Sequence, residues 1–106
     1  MDFRKEQYDI EFSENCKEEI DEIYKYISEN LVSENSAKRL MRKLRNKVNY
    51  LSYNPEIYEK IHRKNLRNQE FRKFIVDNYV ILYAIDKPKK IVYISHMYYN
   101  KRNYYF

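Results

Sequence analysis

The sequence predicts an α+β domain: a helical hairpin packed on a four-stranded, mostly antiparallel sheet, with elements in the order β-α-α-β-β-β. Three observations predict it. Apolar residues between positions 16 and 51 recur at steps of three and four, the helical period. After position 70 they fall instead into short runs broken by turn-forming residues, which is how strands read. Finally, 106 residues, 43% of them hydrophobic, suffice for one core, so residues 1–106 are expected to form a single domain.

Taken in order, Tyr8-Asp9-Ile10-Glu11-Phe12 alternates apolar and polar side chains, as a half-buried strand does. Ser13 stands where a helix N-cap belongs, and Glu14 follows at the positive end of the helix dipole. Cys16, Ile20, Ile23, Ile27 and Leu31 then form one helical stripe. Glu18, Glu19, Asp21 and Glu22 read as its acidic outer face. Asn30 can end this helix, and Ser33 or Ser36 can cap the next, whose stripe is Ala37, Leu40, Met41, Leu44, Val48 and Leu51. Between those positions lie Lys38, Arg39, Arg42, Lys43, Arg45 and Lys47, a basic outer face, and Asn54-Pro55 stops the helix. Two adjacent helices with a short link make an αα-hairpin, each arm about eighteen residues by these boundaries.

Residues 56–70 show no period and are mostly polar and basic. A loop of about fifteen residues in so small a domain is commonly functional. Phe71 to Val76 reads as a strand, and Asp77-Asn78 as a tight hairpin turn. Tyr79 to Ile85 is apolar on both faces, so it is expected in the sheet centre, covered on both sides. Asp86-Lys87-Pro88-Lys89 turns the chain into a last strand, Ile91 to Met97, and the tail from Tyr98 to Phe106 alternates aromatic and basic clusters. With no glycine in the chain, left-handed backbone positions are expected to fall on Asn or Asp.

Composition narrows the function. Cys16 is the only cysteine, so there is no intramolecular disulfide, and its place on the apolar stripe suits a small core residue. Two histidines without supporting carboxylate spacing predict no metal site, and nothing calls for a cofactor. No apolar run approaches the ~18 residues of a membrane span, and the N-terminus lacks a signal-peptide core, so a soluble, cytoplasmic protein with no membrane partner is expected. The net charge of +5 is unevenly placed: residues 1–30 hold four cations against ten carboxylates, which leaves +11 for the remainder. That footprint suits a nucleic acid, a ribosome or an acidic protein, the plainer reading being a solvated charged surface. The 13 tyrosines serve cores, interfaces and base stacking alike.

The stretch Phe71-Arg72-Lys73-Phe74-Ile75-Val76-Asp77-Asn78-Tyr79-Val80-Ile81-Leu82-Tyr83-Ala84-Ile85-Asp86 carries an aromatic–Arg–basic start, an apolar strand, an Asn-Tyr turn and an aliphatic–Tyr strand. Ile91-Val92-Tyr93-Ile94-Ser95-His96 then runs into Tyr99-Asn100-Lys101-Arg102-Asn103-Tyr104, an apolar strand, a turn, two basic residues, an amide and an aromatic. Together with the strand-helix-helix start, these resemble the RelE/ParE family of toxins from type II toxin–antitoxin modules. The resemblance implies a toxin neutralised by a cognate antitoxin whose C-terminal segment wraps the domain. Its target would be the ribosome with its mRNA, or DNA gyrase.

For the ribonuclease branch, an mRNA interferase that acts as a ribosome-dependent endoribonuclease, the resemblance implies basic side chains on the phosphate and a tyrosine or lysine handling protons. Arg72, Lys73, Arg102 and Tyr104 are the catalytic candidates, Arg102 being the closest carry-over. Lys64, Arg67, His96, Tyr99, Lys101 and Tyr105 are candidates for holding RNA, and His96 is also suited to acid–base chemistry near neutral pH. Plainer readings stand beside these: Arg102 as an exposed tail arginine, Tyr104 as packing, His96 as a structural histidine. Arg72 and Lys73, being adjacent on a strand, must point to opposite faces. Two features depart from that branch: Val80 stands where its members often carry an arginine, and the chain ends at Phe106, short of a tyrosine some members carry. The alternative is a ParE-like gyrase poison without nuclease chemistry, which the long helical hairpin resembles. A second alternative is a basic RNA-binding module that stacks bases on Tyr98, Tyr99, Tyr104 and Tyr105.

Overall fold

A computed structural model describes residues 6–61 and 70–100. The chain opens with strand β1 (Asp9–Phe12), and Ser13 turns it directly into helix α1 (Glu14–Lys25). Ser13 serves three partners at once. Its side-chain oxygen accepts from the Cys16 amide at 3.0 Å, its hydroxyl donates to the Ser95 carbonyl at 2.8 Å, and its own amide donates to the Ile94 carbonyl at 2.9 Å. One residue therefore caps the helix and ties it to the last strand.

Helix α1 does not stop at Lys25 but widens into a π-helical turn, Tyr26–Asn30. The Leu31 amide reaches back to the Tyr26 carbonyl, 3.2 Å away. The next residue, Val32, takes the left-handed backbone with φ of 49°. Helix α2 (Glu34–Tyr53) starts at the Ser33 cap, whose oxygen accepts from the Ser36 amide at 3.3 Å. It ends at Asn54, before Pro55, as expected from the missing proline N–H.

Four further strands follow: β2 (Lys60–Ile61), β3 (Phe71–Val76), β4 (Tyr79–Asp86) and β5 (Ile91–Tyr99). The sheet order is β1-β5-β4-β3-β2, antiparallel throughout except for the parallel β1–β5 pair. The expected four strands are thus five. The addition is the two-residue β2, which lies in the stretch expected to be loop and pairs Lys60 with Arg72 and Ile61 with Phe71. Two residues are too few to show an alternation, so no sequence period could reveal it. The last strand also runs to Tyr99 rather than Met97, which moves Tyr98 and Tyr99 from the tail into the sheet.

The helices lie on one face of the sheet. The core joins Cys16, Ile27, Ala37, Leu40, Leu44 and Leu51 of the helical layer to Phe74, Val76, Ile81, Tyr83, Val92, Ile94 and Met97 of the strands. β4 is central, as expected, but its two faces differ. Ile81 and Tyr83 are fully buried towards the helices, whereas on the opposite face Val80 is buried but Leu82 and Ala84 are only half-buried. No described helix is long and apolar enough to cross a membrane.

The absence of glycine has a visible cost. Asp77 takes a left-handed φ of 53° in the β3–β4 turn, which its short polar side chain tolerates, but Lys90 and Val32 do so as well. Val32 is the more strained, because a β-branched residue in that region is a steric outlier, and it is 84% exposed, so no packing compensates. Replacing Val32 with Asn is expected to raise stability by about 1 kcal/mol, readable as a higher urea midpoint at unchanged slope. An unchanged or lower midpoint would mean the valine is not strained.

Candidate functional site

Helix α2 ends at Tyr53, and residues 54–59 that follow it lie outside helices and strands, so their backbone carbonyls need partners from elsewhere. They find them on β3 and β4. The Tyr83 hydroxyl donates to the Pro55 carbonyl at 2.8 Å. Arg72 Nη1 donates to the carbonyls of Glu56 at 3.0 Å and Tyr58 at 2.7 Å, and the Lys73 amide donates to that of Glu59 at 3.1 Å. The Tyr58 ring packs against Phe74 with centroids 5.1 Å apart, and Phe74 in turn against Tyr83. Burial pushes the Tyr83 phenol far above the ordinary tyrosine range, which keeps it a neutral donor at any physiological pH.

Arg72 is only 6% exposed. Its Nε donates to Glu70 at 2.8 Å, and its Nη2 lies 2.5 Å from the same carboxylate oxygen, with Glu56 at 3.8 Å. Four of its five N–H donors are therefore engaged inside the domain. Burial works against the Glu70 carboxylate. The hydrogen bond and charge of Arg72, with Lys60 beside them, outweigh it and hold Glu70 below the usual carboxylate range.

Lys73 points the other way, as adjacent strand residues must. By register it faces Leu82, and Leu82 faces His96, so Lys73 and His96 share the sheet face remote from the helices. Two strand spacings put their backbones about 10 Å apart. The Lys73 ammonium is 3.6 Å from the exposed Glu59 carboxylate. A register shift between Leu82 and Tyr83 marks a bulge just there, opposite Ser95 and His96. Tyr99 returns to the helix side, opposite Tyr79, with ring centroids 5.7 Å apart and edge to face.

Of the ten residues the sequence offers, then, four lie in the described residues, and they do not converge. Arg72 sits under the helical layer, Tyr99 is on that side at the far end of β4, and Lys73 and His96 lie on the opposite face. Arg102, Tyr104, Lys64, Arg67, Lys101 and Tyr105 lie outside the described residues.

Sequence reasoning missed Glu19. It reads as part of the acidic outer face, yet it lies three residues after Cys16 and four before Ile23, on the border of the apolar stripe. There its carboxylate accepts from the Met97 amide at 3.0 Å and lies 3.3 Å from His96 Nδ1. β1 has paired with β5 only as far as Ile94, so Glu19 covers the strand edge that β1 leaves open. The same carboxylate adds to burial in pushing the Cys16 thiol up to about 11, so Cys16 is a protonated core residue and no nucleophile.

The π-helical turn, α2, the β3–β4 turn and the end of β5 enclose a groove of about 1130 Å³. Ile23, Ile27, Leu40, Tyr79 and Met97 line it, with Tyr26, Leu31, Tyr98 and Tyr99 standing half-exposed around it. Its charged rim carries both signs, Glu19 and Glu22 from α1 and Arg39 and Lys43 from α2. An apolar floor with a rim of mixed charge is the chemistry of a peptide-binding groove.

Comparison with known proteins agrees with this architecture. Residues 10–104 match the family described as ParE toxin of type II toxin-antitoxin system, parDE. A search of curated proteins finds no match. Among solved structures, the chain is similar to one in the archaeal RelE–RelB complex from Pyrococcus horikoshii, with 12% identity and a TM-score of 0.63, over 92% of this chain and 99% of that one. It is also similar to one in the toxin–antitoxin complex RelBE2 from Mycobacterium tuberculosis, with 16% identity and a TM-score of 0.61, over 90% of this chain and 100% of the other.

Two outcomes are expected from the Arg72 network. Arg72→Ala breaks a buried ion pair and strips the Glu56 and Tyr58 carbonyls of their donor, at a cost of about 3 kcal/mol in a denaturation experiment; a loss below about 1 kcal/mol would mean the network is marginal. Glu70, whose pKa is lowered on folding, stabilises the fold fully above the ordinary glutamate range near ~4.3. That contribution disappears as pH falls through the lowered value. Glu70→Gln should therefore flatten the acid limb of the stability–pH curve and leave its shape above pH ~5 unchanged.

Proposed function

Because the chain belongs to the ParE toxin family of type II toxin–antitoxin systems, we propose that it arrests growth by binding and poisoning DNA gyrase, not by cutting RNA. The observation that carries this reading is the engagement of Arg72. Cleaving RNA through its own 2′-OH demands cations free to hold the phosphate, a group to take the 2′ proton and another to protonate the leaving oxygen. Arg72, one of the two arginines among the catalytic candidates, is bonded into the fold, and Val80 stands where nuclease members often carry another. The helical hairpin supports the same reading. With α1 and its π-helical extension spanning 14–30 and α2 spanning 34–53, the hairpin is long, the feature by which it resembles the ParE-like branch.

The partner that silences the toxin is a cognate antitoxin, met in the cytoplasm. Both solved structures it resembles are complexes of toxin with antitoxin. The groove between the helices and the end of β5 suits an amphipathic antitoxin segment, with apolar side chains for Ile23, Leu40 and Met97 and polar ones for the rim of mixed charge.

A second reading, ribosome-dependent cleavage of mRNA, has one specific observation in its favour. Lys73 and His96 share the open sheet face, and Glu19 fixes the His96 ring through Nδ1, leaving Nε2 for proton transfer. Under that reading Arg102 and Tyr104 join them, with Lys64, Arg67, Lys101, Tyr99 and Tyr105 along the message.

Two assays run on the same purified protein separate the readings. Gyrase poisoning predicts loss of DNA supercoiling with message on programmed ribosomes left intact. Cleaved message with supercoiling unaffected reverses the assignment, and loss of toxicity in a folded Arg102→Ala protein would then locate the nuclease site.

A further inference from the structure

Helix α2 carries no carboxylate after Glu34, yet it holds six cations. The lysines among them are engaged. Lys38 lies 3.5 Å from Glu34, Lys43 is 2.9 Å from Asp77, and Lys47 donates to the Ile75 carbonyl at 2.7 Å. The arginines are not: Arg39, Arg42 and Arg45 are exposed, and none has a side-chain partner among the described residues. On the side of α2 opposite its buried stripe, Arg39, Arg42, Asn46, Asn49 and Tyr53 follow at steps of three and four. At 1.5 Å per residue this is one unbroken ridge about 21 Å long. The amides of Asn46 and Asn49 are exposed and equally unpartnered among the described residues.

We propose that this ridge is a docking surface for double-stranded DNA, with α2 lying along the major groove. The side-chain types select the partner. An acidic protein would be served by ammonium groups as well as by guanidinium groups, and would give exposed asparagines and tyrosines nothing to do. Arginine and asparagine are the residues whose paired polar atoms match guanine and adenine edges, and arginine also grips phosphate in bidentate fashion. The shape selects DNA over RNA. A major groove about 12 Å wide admits a helix, whereas that of A-form RNA is too deep and narrow. The acidic face of α1, with Glu18, Asp21 and Glu22, repels phosphate and restricts the approach to the α2 side. This surface is independent of the gyrase reading, since naked DNA is a sufficient ligand.

The test is fluorescence anisotropy of the full chain with a labelled DNA duplex of about 20 base pairs, two turns of major groove, and with RNA of matching sequence, across a salt series. DNA is expected to bind at least about tenfold more tightly than RNA. The double variant Arg39→Gln/Arg42→Gln should lower the slope of log K against log salt by about two, one for each phosphate that is no longer neutralised. Asn46→Ala/Asn49→Ala should leave that slope in place and weaken DNA binding severalfold. Circular dichroism confirms that these surface variants stay folded. Equal binding of DNA and RNA, competition by polyglutamate as strong as by DNA, or a salt slope unmoved by the arginine changes would each overturn the assignment. No gyrase is present in the experiment, so its failure would leave the proposed target standing, and a failed supercoiling assay would leave this surface standing.

Discussion

The buried guanidinium of Arg72 is the constraint on which the rest of the domain depends. A helical hairpin packed on a sheet must be joined to it by a segment that belongs to neither, and that segment's carbonyls would otherwise be stranded. Taking an arginine out of water costs several kcal/mol, and only good geometry and full pairing offset it. Here the Glu70 carboxylate supplies the charge, while the carbonyls of Glu56 and Tyr58 take donors that the carboxylate cannot reach. With the Tyr83 hydroxyl on Pro55 and the Lys73 amide on Glu59, this holds the C-terminal end of α2 against β3 and β4. The helical hairpin is thereby fixed relative to the sheet, and so is the groove whose walls the two layers share.

Glu19 plays the corresponding part at the other edge. β1 is four residues long and gives way to α1 while β5 continues for five more residues beyond Ile94. An open edge there would invite another strand. A carboxylate lying on the Met97 amide closes part of it with a negative charge, and His96 beside it gives that charge a hydrogen-bond partner. Glu19 and Glu70 both look like surface acids in the sequence, and both hold the fold together. The charges left over are those that structure does not use, and they separate by helix: carboxylates on α1, guanidinium groups on α2.

Much of this was legible in the residues. The stripes from Cys16 to Ile27 and from Ala37 to Leu51, the caps at Ser13 and at Ser33 or Ser36, and the stop at Asn54-Pro55 placed both helices, because burial and capping are local and periodic. Leu31, expected on the first stripe, instead lies past the π-helical turn and is exposed. Asp77-Asn78 placed the β3–β4 turn to the residue. What escaped was set by non-local contacts. The π-helical turn and the strained Val32 arise from joining two helices without glycine, and β2 exists only because Arg72 and Phe71 give it a partner. The adjacency of Arg72 and Lys73 already required opposite faces. Which of them would be buried depended on Glu70 and on carbonyls fourteen and sixteen residues upstream.

The distinction between a poison that binds and an enzyme that cuts comes down to the shape of the surface on which free polar groups stand. Catalysis requires several such groups aimed at one point, held there before the substrate arrives and shielded from water. In the described residues the convergent polar groups, around Arg72 and around Glu19, have their partners within the fold. The unpartnered arginines and asparagines stand on the convex outside of a helix, where they can meet a large surface but cannot surround a reacting atom. The groove between the helices and the end of β5 is lined by isoleucine, leucine, methionine and tyrosine, with charges at its rim. Such a groove excludes water from an apolar partner and offers little to a phosphate. A convex cationic ridge and an apolar groove are both instruments of association, and this is why the binding mode is the stronger of the two readings.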